Sequence, residues 1–144
     1  MRIEGLWRIC DDGIVRPVVE GAVRTRAGIW VPASFLVDSA ADRSVICAEI
    51  LDTLDLPSLQ SSTHLTGVGG RAESIVIETQ IRMVREAGAN VIFRGQFAAF
   101  IDPAALDMSV LGRDITNLFA LIIDRPQDQV CMVGKGHQYL ISSD

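Results

Sequence analysis

One carboxylate in this sequence lies where an apolar segment ends, a position at which an ionised side chain could do chemistry. Residues 35–42 read FLVDSAAD, so Asp38 directly follows three apolar residues. A carboxylate at the end of a buried strand is unfavourable unless hydrogen bonds satisfy it or a reaction uses it. The small residues that follow allow a tight turn and the close approach of a second copy of the chain. An Asp that only caps a turn would give the same local pattern.

A second segment, VLGRD at residues 110–114, strengthens the functional interpretation. It follows residues 35–42 after a long section rich in strand-forming residues. Together the two segments resemble the active-site loop and the supporting apolar-apolar-Gly-Arg segment of retropepsin-like aspartic proteases of bacterial type. Two such motifs in the family's order rarely occur together by chance, and the resemblance extends over about residues 15–133.

The resemblance implies a role for each residue of the first segment. Asp38 matches the catalytic aspartate, and Ser39 matches the Thr or Ser whose hydroxyl joins the two active-site loops at a dimer axis. Ala41 matches the family's alanine, and Asp42 matches an acidic residue that forms an ion pair with the arginine of the second segment. Ala40 stands where the family nearly always has glycine, and its methyl group could strain the loop or crowd the substrate.

The resemblance also assigns supporting residues. Leu111 and Gly112 match the strand that passes close behind the active-site loop, and Arg113 matches the partner of the acidic residue. A glycine-rich segment is similar to the flap, a mobile hairpin that closes over substrate; its residues are Gly67, Val68, Gly69 and Gly70. An ordinary glycine-rich hairpin would have the same local sequence.

The implied activity is hydrolysis of peptide bonds by a water molecule that two aspartates activate. Each chain supplies one suitable motif, because Asp102 is followed by Pro103 and Asp124 lies in a similarly unsuitable segment. The active site therefore requires a homodimer with Asp38 from each subunit, a peptide or protein substrate, and no cofactor. Because of Ala40, a non-catalytic dimerisation or peptide-binding module is the alternative. A third possibility is a partner chain that carries the other aspartate.

Composition excludes several other classes of function. The net charge is −5 and basic residues are scattered singly, which argues against nucleic-acid binding. No apolar run reaches the roughly 18–20 residues of a membrane span, and the charged N-terminus does not resemble a secretory signal. Cys10, Cys47 and Cys131 are far apart, which favours reduced thiols and a cytoplasmic protein. His64 and His137 are isolated too, so we expect no metal site.

The apolar patterns predict an all-β fold, a small closed barrel of the retropepsin-like type with one or two short helices. We expect a single domain over residues 1–144, with a core at about 15–133 and residues 134–144 as a tail, an extra strand or part of the dimer interface. The expected strands are residues 14–25, 29–37, 63–77 around the glycines, 81–84, 91–100, 110–112, 121–124 and 129–133. Two helices are expected. The first covers residues 45–54 and is capped by Ser44, and the second covers residues 115–120 and is capped by Asp114.

Overall fold

The computed structural model describes residues 1–59, 63–67 and 70–136 of the chain. The strands are β1 (Arg2–Glu4), β2 (Leu6–Ile9), β3 (Val15–Arg24), β4 (Trp30–Val37), β5 (Val45–Ile46), β6 (Thr63–Gly67), β7 (Gly70–Val84), β8 (Asn90–Phe100), β9 (Ser109–Leu111), β10 (Ala120–Asp124) and β11 (Gln129–Val133). The α-helices are α1 (Ala48–Leu54) and α2 (Arg113–Thr116), and Glu86–Gly88 forms a 3₁₀ turn. None of the described helices is long and apolar enough to span a membrane.

The strands form two sheets, and the larger one closes on itself. Its order is β2-β3-β4-β9-β5-β8-β7-β6, and β3 also pairs with β7 through Ala22 and Val23. This extra pairing joins β3, β4, β9, β5, β8 and β7 into a ring, from which β2 and β6 extend. The prediction of an all-β, retropepsin-like fold is confirmed, although the sheet is a ring rather than a strict barrel. The smaller sheet has the order β1-β11-β10.

The main core fills the inside of this ring. In β4, Ala33, Phe35 and Val37 are buried, whereas Ser34 and Leu36 are only partly buried. Successive side chains of a strand point to opposite faces, so the first three face the core and the other two face outwards. The other strands of the ring contribute buried apolar residues to the same core, including Val19, Val23, Ile77, Ile81 and Leu111.

The helix predicted over residues 45–54 is wrong for its first three residues. Val45 and Ile46 form β5, which pairs in parallel with Ala98 and Ala99 of β8, and the helix begins only at Ala48. The apolar spacing fits a helix locally, but pairing with a strand distant in sequence determines the structure. Ser44 does not cap α1, whose N-cap residue is Cys47 without a side-chain hydrogen bond.

The second predicted helix is also displaced. Helix α2 covers Arg113–Thr116 instead of residues 115–120, and Ala120 already belongs to β10. Its N-cap residue is Gly112, so Asp114 does not have the predicted capping position. The strands predicted separately at 63–77 and 81–84 differ as well, since one continuous strand, β7, runs from Gly70 to Val84.

Strands β1 and β2 precede every element that the sequence predicted. Ile3 of β1 is buried against the main core and lies opposite Met132 of β11. At the other end of the described chain, the Gly134 amide donates to the Met1 carbonyl at 2.8 Å. Residues 137–144, part of the predicted tail or extra strand, lie outside the described residues.

Candidate active site

Asp38 lies directly after β4, at the edge of the ring. Its backbone amide donates to the Leu111 carbonyl at 3.1 Å, which continues the pairing of β4 with β9. One carboxylate oxygen accepts from the Ala40 amide at 3.0 Å, and the Asp38 carbonyl accepts from the Ala41 amide at 3.2 Å. These bonds form a tight turn, and Asp38 is only partly buried. The carboxylate therefore has a fixed position and remains accessible to water.

The next two residues of the loop, Ser39 and Ala40, are exposed. Among the described non-glycine residues, a positive φ occurs at Asp55, Ala87 and Asp128. Ala40 is thus outside the left-handed region that favours glycine, and its methyl group does not strain this turn. The Ser39 hydroxyl has no hydrogen bond within the described chain, so its predicted bond across a dimer axis stays a prediction.

Gly112 lies against the backbone that follows the loop. A Cβ atom at this position would overlap the carbonyl group of Arg43 and come within 2.8 Å of the Ser44 nitrogen. Its amide donates to the Ser44 hydroxyl at 3.0 Å. Only glycine allows two backbone segments to pass this closely, so β9 stabilises the loop from behind.

Arg113 joins this supporting segment to the loop through three interactions. Its backbone amide donates to the Ala41 carbonyl at 2.8 Å, and Nη1 donates to the Ser39 carbonyl at 3.3 Å. Its other guanidinium nitrogen, Nη2, forms an ion pair with Asp42. Because both side chains are largely exposed, the ion pair adds little stability. Its effect is to orient the loop through geometry that a flexible lysine would not reproduce.

Sequence reasoning missed a third connection, between Ser44 and Asp114. One carboxylate oxygen of Asp114 accepts from the Ser44 amide at 2.9 Å, from the Ser44 hydroxyl at 2.6 Å and from the Ile115 amide at 3.0 Å. Ser44 is fully buried, so these bonds satisfy polar groups that water cannot reach. The one feature of the sequence that could have indicated this connection is the position of Asp114, directly after Gly112 and Arg113.

Asp102 begins a turn that has the same hydrogen bonds as the Asp38 turn. Its carboxylate accepts from the Ala104 amide at 2.8 Å, and its carbonyl accepts from the Ala105 amide at 3.1 Å. The two loops therefore share a local backbone pattern. They differ at the second residue, where Pro103 has neither the hydroxyl nor the N–H that Ser39 supplies.

The predicted flap is described only in part. Strands β6 and β7 form an antiparallel pair in which Gly67 lies opposite Gly70. Val68 and Gly69, which connect the two strands, lie outside the described residues. The pairing is consistent with a hairpin, and the role of this hairpin in closing over a substrate stays a prediction.

Other reactive groups in the described part of the chain give no alternative centre. Cys10, Cys47 and Cys131 are buried free thiols. Burial raises the pKa of the Cys131 thiol, which keeps it protonated and weakly nucleophilic at neutral pH. No group of three or more His, Cys, Asp or Glu side chains among the described residues is placed to hold a metal ion.

Comparison with known proteins identifies the fold. No family model matches the chain, and no curated protein matches it. EIAV protease complexed with the inhibitor HBY-793 superposes with a TM-score of 0.53 at 22% identity, covering 71% of this chain and 86% of that chain. A retropepsin-like aspartic protease from Rickettsia conorii superposes with a TM-score of 0.55 at 16% identity, covering 92% of this chain and 86% of that chain. The chain therefore has the retropepsin-like fold that these aspartic proteases have.

Proposed function

We propose that this chain is an aspartic endopeptidase that acts as a homodimer, with Asp38 of each subunit in the active site. The observation that carries the proposal is the position of Asp38, in a tight turn that Gly112 and Arg113 support from behind. The carboxylate is fixed by a hydrogen bond yet partly exposed, as a group that must meet both water and substrate has to be. The fold supports the same conclusion.

The proposed chemistry follows from placing two carboxylates beside one water molecule. Two like charges a few ångströms apart cannot both ionise easily, so the pair shares a proton; aspartic proteases are the usual example of this behaviour. The ionised carboxylate removes a proton from the water as the water attacks the peptide carbonyl. The protonated carboxylate donates to the carbonyl oxygen, which becomes part of a tetrahedral intermediate. As that intermediate collapses, the carboxyl group that took the water proton gives it to the leaving nitrogen, and the other carboxylate takes back a proton from a hydroxyl of the intermediate. The C–N bond breaks, the amine leaves, and the pair again shares one proton.

The second carboxylate comes from a second copy in this proposal. Only one turn in the described chain combines an aspartate with a following hydroxyl residue and the Arg113 support; the Asp102 turn has proline at that place. A two-fold axis beside Ser39 would bring both Asp38 side chains together, because a symmetric interface presents the same patch from each subunit. The exposure of Ser39 and Ala40 is compatible with such an interface.

Ala40 favours a second candidate, a non-catalytic dimerisation or peptide-binding module with the same fold. The backbone at Ala40 is not left-handed, so loop strain does not support this alternative. The remaining argument is that the exposed methyl group crowds a bound peptide. The two candidates differ in whether peptide bonds are cut.

Cleavage of a mixed peptide library between about pH 3.5 and 7.5 tests the proposal, because the shared proton should place the activity on the acid side of neutral. We expect cuts from the wild-type protein and none from Asp38→Asn, whose amide cannot act as the base. Asp102→Asn is the matched control, since it changes an aspartate in a turn with the same hydrogen bonds. It should cut like the wild type.

Two outcomes would contradict the proposal. If Asp38→Asn cuts at the wild-type rate, another group performs the reaction. If a folded wild-type dimer cuts no peptide at any pH, the non-catalytic module becomes the better account. Sedimentation of each variant shows whether the dimer has been retained, so that a lost dimer is not read as a lost catalytic group.

A further inference from the structure

A cavity of about 330 Å³ opens on the outer side of β4, away from the main core. Its lining includes Ser34 of β4, Glu49 of α1 and Asp107, which precedes β9. Apolar side chains, among them Ile50 and Met108, form part of its walls. The cavity therefore combines apolar surface with charged groups, as a site for a long side chain with a polar end would.

One positive charge lines the cavity, and a neighbouring group already neutralises it. The Arg8 guanidinium forms an ion pair with Glu20 and donates to the Ser34 hydroxyl at 2.6 Å. The same hydroxyl donates to the other Glu20 oxygen at 2.9 Å. Because this network is satisfied within itself, Arg8 is not available to attract an anion.

Three further carboxylates line the cavity without a cationic partner. Asp11, Glu49 and Asp107 are exposed, and no ion pair involves them among the described residues. The cavity thus has a net negative charge and attracts cations. Cys47 also lines the cavity as a small apolar residue, with only 4% of the residue exposed. The lining therefore has apolar surface beside three carboxylates that have no counter-charge among the described residues.

The cavity lies on the same side of β4 as the candidate active site. Ser34 and Leu36 point to the face of β4 opposite to the core, and Asp38 follows at the next alternate position, where its amide continues the pairing of β4 with β9. Asp38 is four positions after Ser34, which corresponds to roughly 13 Å along an extended strand. A substrate peptide in extended conformation covers that distance in about four residues.

We propose that this cavity binds the side chain of a lysine or arginine in the substrate, about four residues from the bond that is cut. The proposal rests on the proposed function. The aliphatic part of the side chain packs against Ile50 and Met108, and the cationic end lies among Asp11, Glu49 and Asp107. The cavity thereby makes a basic residue part of the substrate sequence that the enzyme selects.

Binding to the cleavage-deficient Asp38→Asn protein tests this proposal without requiring catalysis. Peptides taken from the cleavage sites, or from the library when nothing is cut, are prepared in pairs that differ only by lysine or norleucine at one position. We expect the lysine peptide to bind more tightly, by up to about fivefold for each carboxylate it meets, and the difference to shrink at high salt. Glu49→Gln combined with Asp107→Asn should remove most of the difference and leave norleucine binding unchanged.

Asp102→Asn is the matched control, because it removes an exposed carboxylate of the same loop that does not line the cavity. It should keep the full preference for lysine. Equal affinity for the two peptides at every position, or a preference that survives Glu49→Gln with Asp107→Asn, would overturn the proposal while leaving the protease proposal intact. A preference that these two changes abolish, in a protein that cuts nothing, would uphold the cavity and reject the protease.

Discussion

Replacing Gly112 by alanine should destabilise the protein more than any other glycine change near the candidate site. The added Cβ would overlap the Arg43 carbonyl group and lie 2.8 Å from the Ser44 nitrogen. Both are backbone atoms, so they cannot move away by a change of rotamer. Strand β9 would have to separate from the loop, and the hydrogen bond from the Gly112 amide to the Ser44 hydroxyl would weaken.

The size of the effect can be estimated from these contacts. Overpacking in a closely packed region reduces the free energy of unfolding by about 1–3 kcal/mol. Loss of one buried hydrogen bond adds about 1 kcal/mol. We therefore expect Gly112→Ala to lower the free energy of unfolding by about 3 kcal/mol, which for a chain of this size reduces Tm by roughly 10 °C.

Urea unfolding followed by circular dichroism measures this change, and Gly95→Ala is the matched control. Gly95 lies within β8, has no atom within 4 Å of an added Cβ and has no positive φ. Alanine there should change the free energy of unfolding by less than about 1 kcal/mol, because it adds no clash and restricts the unfolded chain. If the two variants were equally stable, the close approach of β9 to the loop would be refuted.

Three further predictions concern the support of the loop, a surface ion pair and the loop itself. Asp114→Ala should lower the free energy of unfolding by about 2–3 kcal/mol, because it removes the acceptor of two buried Ser44 donors. Asp114→Asn keeps an acceptor oxygen and should lower it by about 1 kcal/mol. Equal losses of the two variants in urea unfolding would contradict this prediction. The hydrogen-bonded Arg16 lowers the pKa of Asp12 from 3.8 to about 2. This ion pair therefore adds stability above about pH 4, and the added stability disappears as the pH falls towards 2. The Tm values of wild type and Asp12→Asn should converge over that range. A difference in Tm that stays constant would disprove the linkage. Ala40→Gly should change peptide cleavage by less than about tenfold, because the backbone there is unstrained. A much larger gain in a cleavage assay would favour the non-catalytic module for the natural chain.

The contact between the loop and Arg113 was predicted from the sequence and is present, while the catalytic role of Asp38 stays a prediction. An aspartate after an apolar strand, followed much later by a glycine and an arginine, is a combination that few other structures need; here these residues are Asp38, Gly112 and Arg113. The contacts between Arg113 and the loop follow from those types, since guanidinium groups suit carbonyl and carboxylate acceptors. The connection between Ser44 and Asp114 could not be predicted, because both residues are common helix caps and their separation in sequence hides their proximity.

Long-range pairing explains most of the errors in secondary structure. Val45 and Ile46 have apolar spacing suitable for a helix, but β8 offers a strand partner more than fifty residues away. Likewise, β1 is three residues long and alternates charged Arg2 and Glu4 with Ile3. Nothing local indicates that it pairs with β11 at the other end of the chain. Such pairings depend on the whole fold, which local propensity does not describe.

Mixing wild-type and Asp38→Asn subunits tests most directly the central claim that each subunit supplies one aspartate. The two proteins are dissociated, combined in known ratios and allowed to form dimers before peptide cleavage is measured. Heterodimers with one aspartate should be inactive, so in an equimolar mixture the rate per wild-type subunit should fall to about half, and further with more Asp38→Asn protein. A rate per wild-type subunit that stays constant at every ratio would contradict a shared active site.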